Sequence, residues 1–141
     1  MLEIARTPNY KIYWQDAERT IVVLEVFNRW TWDEAYHAVK MISDSNALVS
    51  HETYSIFWFR YDVSQLPGGL ALPKLRELMT MQRPNERLVL FVMVNPLLKT
   101  MLELASRLYG LQEHMKKYRF VTSFEHATKV ITRDKQTTSI S

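Results

Sequence analysis

An unbroken run of apolar residues, RLVLFVMV at residues 87–94, sets the strongest limit on how this chain folds. A strand with one solvent-exposed face alternates apolar and polar residues, but this run has no polar residue after Arg87. A strand that is covered on both faces, as in the middle of a parallel sheet, has this pattern. Parallel neighbours need long crossover connections, which are usually helices, so the run predicts an α/β fold.

Other β-rich runs and helical patterns alternate along the chain. We predict strands at residues 10–14, 20–27, 53–62, 87–94 and 118–122, and helices that begin near residues 31, 73, 96 and 123. The first two strands flank the short polar segment QDAER, which indicates an antiparallel hairpin. The predicted order is therefore β-β-α-β-α-β-α-β-α, in a mixed sheet that is parallel over most of its width.

Local signals mark the helix ends and faces. Thr31 and Glu34 have capping-box spacing at the first helix, and Thr122 and Glu125 repeat it at the last. The third helix carries apolar residues that are expected to face the core, namely Leu97, Leu98, Met101, Leu102, Ala105 and Leu108.

Length and composition indicate one domain over residues 1–133, followed by a flexible polar tail at residues 134–141. The chain has no cysteine, which fits a reducing compartment. It also lacks a signal-peptide pattern and a run of about 18 apolar residues, the minimum for crossing a bilayer. We therefore expect a cytoplasmic protein without a transmembrane segment.

The order of elements, the segment RWTWDEAYHAV at residues 29–39, and a strand that closes on DVS at residues 62–64 resemble the SpoIIAA-like fold of STAS domains. More specifically, the chain is similar to small, stand-alone bacterial STAS-like proteins, over roughly residues 10–133. The resemblance implies a non-catalytic regulatory module of the anti-anti-sigma type, which works through contacts with a protein partner.

In anti-anti-sigma factors, the helix after this strand begins with a hydroxyl residue that a partner kinase phosphorylates. Here the segment PGGL replaces that hydroxyl, and no serine or threonine lies between Ser64 and Thr80. We therefore expect that the usual phosphoswitch is missing; Ser64 is either a remaining phosphorylation candidate or a cap of the turn. The resemblance places the predicted docking surface at this turn, with the residues Asp62, Ser64, Gly68, Gly69 and Leu70.

Aromatic residues suggest a second contact surface. Trp30 and Trp58 form a hypothetical aromatic patch, since tryptophan is enriched in protein interfaces. The alternative is that Trp30 closes the end of a strand while Trp32 and Tyr36 pack into the core. If helices cover only one face of the sheet, the aromatic third predicted strand, at residues 53–62, stays partly exposed. Exposed aromatic surface usually contacts a partner, and this predicts a homodimer.

Motifs for catalysis or cofactor binding are missing. The PGG segment lacks the lysine and hydroxyl of a phosphate loop, and the histidines occur singly without metal-ligand spacing. We therefore predict no catalytic residue, no metal and no cofactor. The basic cluster of Lys116, Lys117 and Arg119 is short, which favours a solvated loop over a nucleic-acid site.

The methionines leave a second class of function open. Met79, Met81, Met93 and Met101 are flexible side chains that suit the lining of a pocket for a small hydrophobic or lipid ligand. The same residues also serve as ordinary core filling. A ligand carrier is therefore the alternative to the regulatory module.

Overall fold

The computed structural model describes residues 2–60 and 66–140, with side chains described as far as residue 137. In this part of the chain, a mixed sheet holds its strands in chain order: β1 (Leu2–Arg6), β2 (Tyr10–Trp14), β3 (Ile21–Val26), β4 (Thr53–Phe59), β5 (Glu86–Val92) and β6 (Tyr118–Val121). Strands β1 to β3 are antiparallel neighbours, and β3 to β6 run parallel. The helices are α1 (Trp32–Ala47), α2 (Ala71–Thr80), α3 (Leu97–Tyr109), α4 (Gln112–Met115) and α5 (Phe124–Ile140).

Helices cover both faces of the sheet, as the apolar run in β5 predicts. Val89 and Phe91 belong to the core cluster that packs with α1, α2 and α3. Leu88 and Leu90 belong to a second cluster, which packs with α5. Right-handed crossovers put α1, α2 and α3 on one face, so α5 takes the other. The prediction of an α/β fold with a mixed sheet is confirmed.

The predicted element order lacks two elements, so the observed order is β-β-β-α-β-α-β-α-α-β-α. Strand β1 carries a bulge between Glu3 and Ala5, which breaks the period-two alternation that marks a strand in a sequence. The second missed element, α4, is a single helical turn and has no periodicity to detect.

The tail predicted as flexible from residue 134 is helical, since α5 continues to Ile140. The carboxylate of Asp134 accepts hydrogen bonds from the Tyr54 hydroxyl at 2.6 Å and from Arg87 Nε at 2.7 Å. These bonds tie the helix to the sheet and to the start of β5. The helix is capped one residue later than predicted, by Ser123, whose hydroxyl accepts from the His126 amide at 3.0 Å.

The Asp134 contacts predict an acid-sensitive contribution to stability. Partial burial raises the pKa of Asp134, but the bonds from Arg87 and Tyr54 outweigh it, and the pKa lies below its ordinary value. A lowered folded-state pKa adds stability above the unfolded-state pKa of about 3.9, and that stability is lost as the pH falls. We expect Asp134→Asn to lose about 1 kcal/mol at pH 7.

Urea unfolding of the wild type and of Asp134→Asn at pH 7 and below pH 3 checks this pH dependence. The difference between the two proteins should shrink on acidification. An equal difference at both pH values would contradict the role of the charged carboxylate.

Candidate functional site

The predicted docking turn lies at the edge of the sheet where the parallel strands end. It connects the carboxyl end of β4 to the start of α2. Gly68 and Gly69 are exposed, and Leu70 is 76% exposed. Gly69 has φ +102°, a conformation that favours glycine, whereas a side chain at Gly68 would meet open space. The predicted residues Asp62 and Ser64 lie outside the described residues.

The start of α1 holds this turn in place. The Trp32 indole Nε1 donates a hydrogen bond of 3.1 Å to the Gly68 carbonyl oxygen. Trp32 is fixed in turn by the predicted capping box, in which Thr31 Oγ1 accepts from the Glu34 amide and Glu34 Oε1 accepts from the Thr31 amide, both at 3.1 Å. The capping-box prediction is confirmed. The capping box positions the buried Trp32, whose contact with the turn no sequence motif predicts.

Trp30 and Trp58 lie on opposite faces of the sheet, so they do not form a joint patch. Trp30 is half-buried, with its ring 5.4 Å from Trp32 and 6.2 Å from Phe59. Trp58 packs at 4.5 Å against Phe124 of α5. Because both faces of β4 are covered, the bare aromatic row from which a homodimer was predicted is not present among the described residues.

The exposed apolar residues near the turn are a feature that the sequence did not reveal. Val94 follows the carboxyl end of β5 and is 82% exposed, and Leu97 at the start of α3 is also exposed. Leu104 and Leu108 extend this exposure along α3. The prediction that Leu97 and Leu108 face the core is therefore wrong, because the helix carries apolar residues on two sides and one side lies in solvent.

An apolar cavity of about 80 Å³ lies between the sheet and helices α1, α2 and α3. Of the four methionines proposed to line a pocket, Met79 alone borders it. Met93 is buried in the core, and Met81 and Met101 are half-buried and pack against it.

A buried network of polar groups lies at the other end of α2. Arg83 Nε donates to Glu86 Oε1 at 2.8 Å, and Glu86 Oε2 accepts from the Ser55 hydroxyl at 2.8 Å. Burial lowers the pKa of Arg83, but the Glu86 carboxylate and the Tyr118 hydroxyl together raise it by more. Burial also raises the pKa of the Tyr118 hydroxyl, which lies 3.5 Å from Arg83 Nη2. The guanidinium therefore stays charged and Tyr118 stays neutral.

A second group of polar side chains surrounds Glu25 on the α5 side of the sheet. Arg60 Nη1 lies 2.8 Å from the buried Glu25 carboxylate, and Lys11 Nζ lies 3.6 Å from it. The Tyr13 hydroxyl donates to Glu25 at 3.4 Å, and burial beside this carboxylate raises the pKa of Tyr13 to about 12. These groups satisfy one another and link β2, β3 and the end of β4.

Comparisons of this chain with protein-family models, with curated proteins and with solved structures found no match. In the described part of the chain, no cluster of three or more histidine or acidic residues is placed to hold a metal ion. No helix in residues 2–60 and 66–140 is both long and apolar enough to cross a membrane.

Proposed function

We propose that this chain is a non-catalytic regulatory module that binds a protein partner through the edge surface, defined as Trp30, Gly68, Leu70, Val94 and Leu97. The observation that carries the proposal is the exposure of Leu70, in the connection from β4 to α2, and of Val94, in the connection from the adjacent strand β5 to α3. Clustered apolar residues on a protein surface are typical of interaction sites, whereas scattered ones need no explanation.

The hydrogen bond to Gly68 also favours docking. It fixes the position of the Gly68 carbonyl, and the capping box of α1 positions Trp32, which donates it. A preformed surface loses less conformational entropy on binding than a mobile one. The glycine pair leaves the backbone accessible to a partner.

The resemblance to STAS domains supports the same location, because their partners dock at the turn after the corresponding strand. We propose a STAS-like module of the anti-anti-sigma type that acts in the cytoplasm without the usual phosphoswitch. The homodimer stays a prediction, so a second copy of this chain is the first partner to test at the edge surface.

Leu70→Asp is expected to weaken partner binding at least tenfold, because it places a charge in the apolar centre of the interface. Leu48→Asp is the matched control, since Leu48 is 82% exposed and lies at the other end of α1. Both substitutions are on the surface, so their effects on stability should stay within about 0.5 kcal/mol.

Binding is measured by sedimentation for self-association and by site-specific photo-crosslinking from positions 70 and 48 in cells that express the protein. Crosslinks from position 70 that disappear in Gly68→Trp would support the edge surface if the variant unfolds at the same urea concentration as the wild type, since a Cβ at Gly68 meets nothing within 4 Å. Equal crosslinking from both positions would contradict it.

The cavity favours a second candidate function, the binding of a small apolar ligand. Its lining is almost entirely apolar, with Glu34 and Arg83 as the charged residues, and such cavities accept small apolar molecules. Its volume of about 80 Å³ is below the roughly 300 Å³ at which typical ligand pockets begin, so a whole lipid does not fit. Native mass spectrometry of the purified protein tests this candidate, because a bound ligand adds a discrete mass.

A further inference from the structure

A surface cleft of about 550 Å³ lies at the opposite edge of the sheet from the edge surface. It opens between the carboxyl end of α2 and the short helix α4, where β5 and β6 begin. Its size falls within the range of small-molecule sites. The residues that matter for its chemistry are Met79, Arg83, Glu86, His114, Lys117 and Tyr118.

Arg83 is a nearly buried cation with weakly occupied hydrogen-bond donors. Its side chain is 8% exposed, and its Nε is held by Glu86 at 2.8 Å. The terminal nitrogens make longer contacts, of 3.5 Å to the Leu78 carbonyl oxygen and 3.5 Å to the Tyr118 hydroxyl. Both distances lie beyond the usual 2.7–3.2 Å range for N–H···O bonds, so the terminal donors would gain from a stronger acceptor.

The cleft and the apolar cavity share a wall. Met79, Arg83 and Tyr118 line both spaces, so the guanidinium lies where a polar opening meets an apolar interior. A ligand with a charged head and an apolar tail matches this arrangement. The head would remain at the cleft, and the tail would replace empty space in the cavity.

We propose that the cleft binds a small carboxylate with a short apolar tail. The carboxylate accepts hydrogen bonds from the terminal nitrogens of Arg83, the geometry in which arginine recognises carboxylates. The tail passes Met79 and enters the cavity. This inference deepens the second candidate function, since it names the ligand class for the same cavity.

The charges around the cleft favour an anion. The Glu86 carboxylate is neutralised by Arg83, and Glu113 at the rim is paired with Lys116 at 2.8 Å. Lys117 is exposed at the rim and adds a positive charge. With Arg83 and Lys116 each compensating one carboxylate, Lys117 supplies the one uncompensated positive charge, and Arg83 supplies hydrogen-bond donors to an incoming carboxylate.

The test compares hexanoate, hexanol and acetate by calorimetry, with the Met79 methyl NMR signal as a local reporter. We expect hexanoate to bind at least about tenfold more tightly than hexanol, which lacks the charge, and than acetate, which lacks the tail. Equal binding of hexanol and hexanoate would overturn this inference but leave the apolar-ligand function standing. Failure of both to bind would overturn both.

Two variants separate a binding role of Arg83 from a structural one. The double variant Arg83→Met with Glu86→Gln removes both charges of the buried pair, and it should bind hexanoate no better than hexanol. Ala35→Leu fills the cavity from α1 and leaves Arg83 in place, so it should weaken hexanoate binding at least about tenfold. Unchanged hexanoate binding in Ala35→Leu would overturn the inference even if the double variant fails to fold.

Discussion

Glu86→Ala is expected to lower the free energy of unfolding by about 3–5 kcal/mol, the typical cost of leaving the partner of a buried ion pair uncompensated. The substitution would strand the nearly buried guanidinium of Arg83, which has no other partner closer than 3.5 Å in the described structure. It would also leave the fully buried Ser55 hydroxyl without its acceptor.

Urea unfolding at pH 7 measures this loss, with Glu113→Ala as the matched control. Glu113 pairs with a lysine at the same distance but is exposed, so its removal should cost about 0.5 kcal/mol or less. The double variant Arg83→Met with Glu86→Gln should lose less than Glu86→Ala, because no charge remains unpaired. A loss below about 1 kcal/mol in Glu86→Ala would show that water reaches the guanidinium.

The parts of the fold that the sequence predicts are those with local causes. The apolar run at residues 87–94 predicts β5 because burial on both faces removes the need for polar residues. Thr31 and Glu34 predict the start of α1 because both partners of the capping box lie within one helical turn. Each of these signals is complete within a few residues.

The parts that it does not predict depend on contacts between distant residues. The α5 segment beyond residue 133 is polar. The hydrogen bond between Asp134 and Tyr54, which lies 80 positions earlier in the chain, attaches this segment to the sheet. The site at the cleft also depends on contacts between distant residues. Ser55 lies 31 positions from Glu86, and Tyr118 lies 35 positions from Arg83. In the sequence, Arg83 and Glu86 lie on either side of Pro84. Charged residues around a proline have the pattern of an ordinary solvent-exposed loop.

The predicted docking site stays a prediction, and the proposed edge surface adds apolar residues that the sequence analysis did not include. Leu70 was identified with the turn, whereas Val94 and Leu97 join it only because β4 and β5 are parallel neighbours. The helical pattern of α3 predicts that its leucines face the core on one side of the helix. The helix carries more apolar residues than the core buries. The proposed edge surface therefore depends on exposed apolar residues and less on single aromatic residues.

The edge surface and the cleft lie at opposite ends of α2, which spans about 15 Å at 1.5 Å per residue. Met79 contacts the cavity from this helix, and Leu70 precedes its first residue. A ligand in the cleft would therefore contact the same helix that presents the docking turn. Trp30 belongs to the edge surface and also lines the cavity, so the two proposals are tested separately by substitutions at Leu70 and at Arg83, each of which belongs to one site alone.

Ile131→Ala is expected to lower the free energy of unfolding by about 2–5 kcal/mol, the range for removing a large aliphatic side chain from a core. Ile131 is 1% exposed and packs in the cluster with Ile56 and Leu90. Within the described residues, α5 is the helix that covers this face of the parallel strands. The substitution therefore tests whether helices cover both faces of the sheet. Coverage of both faces excludes the exposed aromatic row from which the homodimer was predicted.

Thr132→Ala is the matched control, because Thr132 is the exposed neighbour of Ile131 on the same helix and should change stability by about 0.5 kcal/mol or less. Urea unfolding of both variants, followed by tryptophan fluorescence, gives the comparison. Fluorescence is informative because Trp58 contacts Phe124 at the start of α5. If Ile131→Ala were as stable as Thr132→Ala, α5 would not be docked on the sheet, and the face that carries Trp58 would again be available for a second copy.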